Sequence, residues 1–211
     1  MNIKTKRYKE QLTEWPETGH HIMAQYDDDK IIVYQSYRPE IGEFAVKHQR
    51  FGGPFSLERM TWIKPNFLWM MYRNGWGTKE GQEVTLAVHL KRSAFENYVK
   101  KAEYSSFEMS LLTDHDDWKT KVTETSARLQ WDPDHDPYGT KLDRRAIQIG
   151  IRNELTAEYA ENDIIEIEDI SGFVKQQRAH VEERRLDLLV TPEEHRLTFQ
   201  DSELNSKLKL S

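Results

Sequence analysis

Four consecutive apolar residues, Ile31-Ile32-Val33-Tyr34, sit inside the segment Lys30–Tyr37. Side chains along a strand point alternately to its two faces, so a strand that is apolar at every position suits a sheet covered on both sides. Charged residues make up 31% of this chain and hydrophobic ones 37%. In so polar a sequence the run marks an interior strand, with other layers needed above and below it. The acidic turn Asp27–Lys30 precedes it, and His21–Tyr26 reads as the strand on the far side of that turn.

The pattern then switches period. Pro39 fits the first turn of a helix, and Ile41, Phe44, Ala45 and His48 recur at i, i+3, i+4 and i+7. Gly52 or Gly53 is the expected left-handed cap. Leu57, Arg59 and Thr61 alternate with Glu58, Met60 and Trp62, as in a strand. Pro65 opens a second helix with Phe67, Leu68, Met71 and Tyr72 on one face, stopped at Asn74-Gly75. Trp62, Trp69 and Trp76 are seven apart, yet they fall on a strand, on the helix and after it, so they form no heptad. Val84, Leu86, Val88 and Leu90 mark a further strand, followed by a helix capped by Ser93 with Glu96 as its capping-box partner.

Downstream, TSARLQW reads as a strand and DPDHDPYGT as a rigid loop. RRAIQIGI and DIIEIEDI are strands, RNELTAEYA and SGFVKQQRAHVEER are helices, and LDLLV is one last strand. Residues 191–211 are polar and weakly periodic and read as a C-terminal tail. The remainder, 1–190, fits a single α+β domain, a mixed central sheet with flanking helices. No Gly-rich phosphate loop follows a strand, which argues against a Rossmann or P-loop protein.

Composition removes several classes of chemistry. The chain has no cysteine, so it has no disulfide framework, thiolate metal site or Cys nucleophile. No signal peptide or membrane span is visible, and a cytoplasmic location is expected. The net charge of −6 argues against a non-specific nucleic-acid coat but leaves room for a local basic groove. Arg144, Arg145 and Arg152 are close in sequence, as are Lys47 and Arg50; surface charge accounts for these as well.

Three constellations remain. Asp132, Asp134, His135 and Asp136 form an oxygen-rich set that would suit Mg²⁺, Mn²⁺ or Ca²⁺, although Asp-Pro pairs are also ordinary turn formers. Asp114, His115, Asp116 and Asp117 read as a helix N-cap with acids in the first turn. The third spans two strand-to-helix junctions. Arg38 follows Tyr34, Gln35, Ser36 and Tyr37, and Lys64 and Asn66 stand between Trp62 and the helix that carries Arg73. Side by side, these junctions would make a cleft with cations, amides and aromatic walls. Planar rings stack on aromatics and phosphates pair with Arg or Lys, so this inventory suits a nucleotide. A core reading of the tryptophans is the alternative. No G-x-S-x-G marks a serine nucleophile.

The segments YQSYRPEIGEFAV, RFGGPFSLERMTWIKPNFLWMMYRNGWGTKEGQE, RLQWDPDHDP, RRAIQIGIR and IEDIS resemble the uncharacterised family catalogued as domain of unknown function 4291, from Ile31 to about Arg178. That family implies no activity. A more distant resemblance is to the ADP-ribosyltransferase superfamily, including the RNA 2′-phosphotransferases. VYQSYRPEIGEFAV is similar to their first motif. RMTWI, KPNFLWMMYRNGW and EVTLAVHLKR follow the order of the second, and RRAIQIGI stands for the third. Gln35 occupies the place where many members have His. Arg145 and Gln148 stand where transferases carry a catalytic Glu, and Glu166 and Glu168 come later.

This resemblance implies an ADP-ribosyltransferase-like layout and an enzyme that binds NAD, or a nucleotide or nucleic-acid phosphate, with no metal required. It assigns catalytic roles to Arg38, Lys64 and Arg145. Ligand contacts would come from Tyr34, Gln35, Ser36, Trp62, Asn66, Arg73 and Gln148. A non-catalytic RNA- or nucleotide-binding module is one alternative. A metal-dependent phosphoesterase using Asp132, Asp134, His135 and Asp136 is another.

Overall fold

The computed structural model describes residues 1–211. In chain order the elements are β1 (Thr5–Arg7), α1 (Tyr8–Leu12), β2 (Gly19–His20), β3 (Ile22–Ala24), β4 (Lys30–Tyr37), α2 (Pro39–His48), β5 (Thr61–Ile63), α3 (Phe67–Asn74), β6 (Val84–Lys91) and α4 (Arg92–Lys101). Then follow β7 (Glu103–Tyr104), α5 (His115–Glu124), β8 (Ala127–His135), β9 (Lys141–Ile151), α6 (Glu154–Glu158), β10 (Ile164–Asp169), α7 (Ser171–Glu182), β11 (Val190–Pro192), β12 (His195–Leu197) and α8 (Ser202–Lys207). One π-helical turn, Tyr159–Asp163, follows α6. No helix is long and apolar enough to cross a membrane. The fold class is α+β, with mixed sheets flanked by helices.

Strand β4 is covered on both faces. Ile31 and Val33 belong to the larger apolar core, together with Phe95, Leu129 and Ile149. Ile32 and Tyr34 point the other way, into a second core with Phe67, Met71 and Val174. This strand pairs antiparallel with β6, which pairs antiparallel with β10. A second sheet is built on the long hairpin β8–β9, with β7 parallel to β8, β2 parallel to β9 and β5 antiparallel to the end of β9. The two sheets meet at one point: the Tyr34 amide donates to the Lys64 carbonyl at 2.7 Å. The backbone of Lys64 is therefore part of the seam, which fixes where its side chain leaves the sheet.

Local chemistry sets the helix ends. Pro39 occupies the first turn of α2, behind an extended Arg38. That helix ends at Gln49 in the left-handed region (φ 53°), three residues before Gly52 of the Gly52–Gly53 pair. Asn66 caps α3 by accepting from the Trp69 amide at 2.7 Å, and Gly75 (φ 59°) closes it. Asp114 caps α5 through the amides of Asp116 and Asp117, both at 2.9 Å. Ser93 is not the cap of α4: β6 runs directly into that helix, Lys91 is the boundary residue, and Arg92 bonds Glu96 at 3.3 Å.

Further segments differ from the sequence reading, among them LDLLV, of which only Val190 enters a strand. The DPDHDPYGT stretch is mostly strand. Strand β8 continues through His135, and a register shift between Pro133 and His135 accommodates the proline. Only Asp136–Thr140 forms the turn, in which the Asp136 carboxylate accepts from the amides of Tyr138 (2.9 Å) and Thr140 (2.8 Å). Residues 191–211 are built into the fold as well. Strand β11 pairs with β1, β12 pairs with β3, and Leu197, Phe199, Leu204 and Leu208 enter the larger core. Each of these short elements contributes one or two anchors, too few to generate a period.

Candidate functional site

The C-terminal end of β4, the seam at β5 and the exposed side of α3 enclose a cleft of ≈ 690 Å³. Strand β4 supplies Gln35, Ser36 and Tyr37, and Arg38 follows at the head of α2. Trp62 comes from β5, and Lys64 from the residue that bonds β4. Met70 and Arg73, three apart on one helix face, come from α3. The connection before β5 adds Phe55, Arg59 and Met60.

The electrostatics of this lining are one-sided. Four of its residues are cations, Arg38, Arg59, Lys64 and Arg73, and none is Asp or Glu. Arg38 lies 3.5 Å from Glu40, an exposed pair that water weakens. Arg59 and Arg73 make no ion pair. Lys64 is only 8% exposed. Its Nζ donates to the Trp62 carbonyl at 3.2 Å and lies 5.4 Å from the Trp69 ring centre. The Arg73 guanidinium is 5.5 Å from the same ring. Burial pulls the Lys64 pKa down to about 7; Arg73 pushes the same way and Asp132 opposes. A buried lysine without a carboxylate partner is unfavourable until an anion arrives.

Beneath the cations lies a polar network. Gln35 donates to the Tyr37 hydroxyl (2.8 Å) and to Thr61 Oγ1 (2.9 Å), and its carbonyl accepts from the Tyr159 hydroxyl. Tyr37 and Thr61 hydrogen-bond at 2.9 Å. Ser36 Oγ accepts from Asn74 Nδ2 at 2.6 Å. Gln35 is 2% exposed and bonded on both ends of its amide, so it positions the floor.

Of the ten residues singled out from sequence, Arg38, Lys64, Gln35, Ser36, Trp62 and Arg73 line the cleft. Tyr34 does not: it is sealed in the second core, edge-on to Phe67 at 5.4 Å. Asn66 is committed to capping α3 and to Glu194, whose carboxylate also accepts from the Phe67 amide at 2.6 Å. Arg145 lies further along β9, paired with His20 and Pro133, whereas Trp62 pairs with Gly150. Gln148 donates to Asp132 at 2.8 Å. Tyr34 sits deeper in β4 than Ser36, which shares its face, Asn66 is held as a helix cap, and Arg145 and Gln148 are placed by the β9 register.

The three acids and the imidazole of the DPDHD stretch do not converge. Asp132 accepts from Gln130 and Gln148. Asp134 is buried against Arg144 at 2.6 Å. His135 stacks under Tyr72 with centroids 3.6 Å apart, and Asp136 holds its turn. The three ligating groups that do lie together are His89, Glu166 and Glu168, within 4.8 Å of one another. His89 Nε2 is 2.8 Å from Glu168, and Asn2 donates to both carboxylates at 2.6 Å. Neither glutamate lines the cleft.

Arg59 is the cleft cation that sequence reasoning missed. Its alternation with Trp62 suggested a strand, but only Thr61–Ile63 is extended and paired. No local signal marks a loop cation that reaches a cleft through tertiary folding.

The chain belongs to the family described as Domain of unknown function (DUF4291), whose model matches residues 21–197. No curated protein matches it.

Proposed function

We propose that this DUF4291 chain binds a phosphate-bearing nucleotide, NAD or the phosphate of a nucleic acid, in the cleft between β4, β5 and α3, as an ADP-ribosyltransferase-like enzyme. The observation that carries this reading is the lining: four cations and no carboxylate, in a chain whose net charge is −6. Such a cleft repels basic peptides and favours anions. Its volume of ≈ 690 Å³ falls within the ordinary range for small-molecule sites. Trp62 and Phe55 offer apolar surface for a planar ring, while Arg38, Arg59 and Arg73 would neutralise a pyrophosphate.

The group-transfer chemistry available here is electrostatic. Cations already in place stabilise charge on a departing phosphate without reorganising at the moment of reaction. The glutamate that holds the ribose hydroxyl in ADP-ribosyl transfer has no counterpart in the lining, since Glu166 and Glu168 sit with His89. NAD therefore fits as a ligand better than as a donor cleaved by a carboxylate. The same absence favours a second reading, a non-catalytic module that recognises nucleotides or RNA through these cations and rings.

Thermal denaturation with NAD⁺ and with ADP-ribose tests the first point. The melting temperature of the wild type should rise with either ligand, and Arg38→Ala should remove the rise. If neither ligand moves the melting temperature at millimolar concentration, nucleotide binding in the cleft is wrong. Product formation separates the enzyme from the binding module.

A further inference from the structure

We propose that the cleft's phosphate ligand is carried by a single-stranded nucleic acid whose adjoining bases stack on Tyr72 and Tyr138. This rests on the reading of the cleft as a phosphate site. Arg73 lines the cleft, and its neighbour on α3, Tyr72, is 45% exposed. The turn after β8 lies alongside. Tyr138 is 48% exposed, and the Cβ that Gly139 lacks would sit 3.5 Å from the Tyr72 ring.

The Tyr72 ring is supported from below, and the turn that carries Tyr138 is pinned through its backbone. Tyr72 lies flat on the buried His135 imidazole, centroids 3.6 Å apart and planes 10° from parallel. The Tyr138 turn is pinned by the Asp136 carboxylate and by the Trp76 indole, which donates to the Pro137 carbonyl at 3.1 Å. Beyond Tyr138, the Arg184 guanidinium lies 5.9 Å from its ring centre. Neither Arg73 nor Arg184 makes an ion pair. The acids beside Arg184 are already engaged, Glu182 with Arg178 and Glu183 with Arg185.

Arg73 at the cleft, its chain neighbour Tyr72, then Tyr138 and Arg184 thus follow one another along a strip beside the cleft. Two exposed rings between two cations without ion-pair partners match a polymer of alternating bases and phosphates. Charge complementarity decides the class of partner, since the strip and the cleft are cationic within an acidic molecule. Stacking accepts any base, so shape and phosphate, more than sequence, govern this contact.

Fluorescence anisotropy with a 5′-phosphorylated single-stranded hexanucleotide, competed by a nucleoside 5′-monophosphate, tests the proposal. The hexanucleotide should bind about tenfold or more tightly than the monophosphate. Tyr72→Ala and Tyr138→Ala should each weaken the hexanucleotide several-fold, leave the monophosphate unchanged and keep a cooperative melt, while Tyr72→Phe should retain binding. Equal affinity for the two ligands overturns the strip and leaves the cleft reading intact. Tighter hexanucleotide binding that ignores both tyrosines also overturns it, as does a phosphopeptide that outcompetes the hexanucleotide. Failure of both nucleotide ligands to bind removes the cleft reading itself.

Discussion

Lys64 concentrates the physical tension of the cleft in one side chain. Its carbonyl must bond Tyr34 to join the sheets, and its ammonium is thereby drawn into a place where no carboxylate meets it. Replacing a buried, unpaired cation with an apolar residue of similar length should stabilise the free protein. We expect Lys64→Met to gain on the order of 1–3 kcal/mol, read as a higher melting temperature, while nucleotide affinity falls. The pH dependence has a fixed sign. With its folded pKa at about 7, against 10.5 for the ordinary side chain, Lys64 binds its proton more readily when unfolded. Its contribution to stability therefore rises as pH climbs from about 7 toward 10.5, and that rise should be absent from urea melts of Lys64→Met. A bound phosphate draws the proton back, so nucleotide binding should take up protons and weaken above about pH 7. Calorimetry in buffers of different ionisation enthalpy would detect the uptake. The sequence placed Lys64 at a junction beside Trp62, but its burial depends on Trp69 and the sheet seam, which no local pattern encodes.

At the level of elements, the periodic segments were the legible ones. The apolar run of β4, the i, i+3, i+4 pattern of α2 and the Pro65 start near α3 all identify structure that short-range chemistry dictates. The C-terminal elements were not legible, because α8 spans only Ser202–Lys207 and carries few apolar residues. Leu204 and Leu208 are nonetheless 3% and 0% exposed. Leu204→Ala should lower stability by about 2–4 kcal/mol in denaturant titration, whereas a solvated tail would show no change. Gly150 makes a second point. A Cβ there would lie 2.8 Å from Met60 Sδ and 2.9 Å from the Trp62 indole. Gly150→Val should therefore cost about 1–3 kcal/mol by overpacking and displace Trp62, a shift readable in tryptophan fluorescence.

For the molecule as a whole, the charge distribution matters more than the total. A net charge of −6 coexists with a cleft free of carboxylates, so association with a phosphate ligand should be steered locally and weaken as salt screens it. The convergence of β4, β5 and α3 is a tertiary fact. Sequence spacing suggested that two chain reversals lie side by side, yet it admitted Tyr34 and Asn66 on the same grounds and overlooked Arg59, while Arg145 came in through the resemblance alone. Depth along β4, helix capping and the β9 register decided between them. The account stands most directly on calorimetric titration of ADP-ribose into wild type and Lys64→Met at low and moderate salt. It predicts saturable binding to the wild type that weakens with salt, and affinity lower by about tenfold or more in a variant that melts at higher temperature. Equal affinity in the two proteins, or no saturation at millimolar ligand, would contradict it.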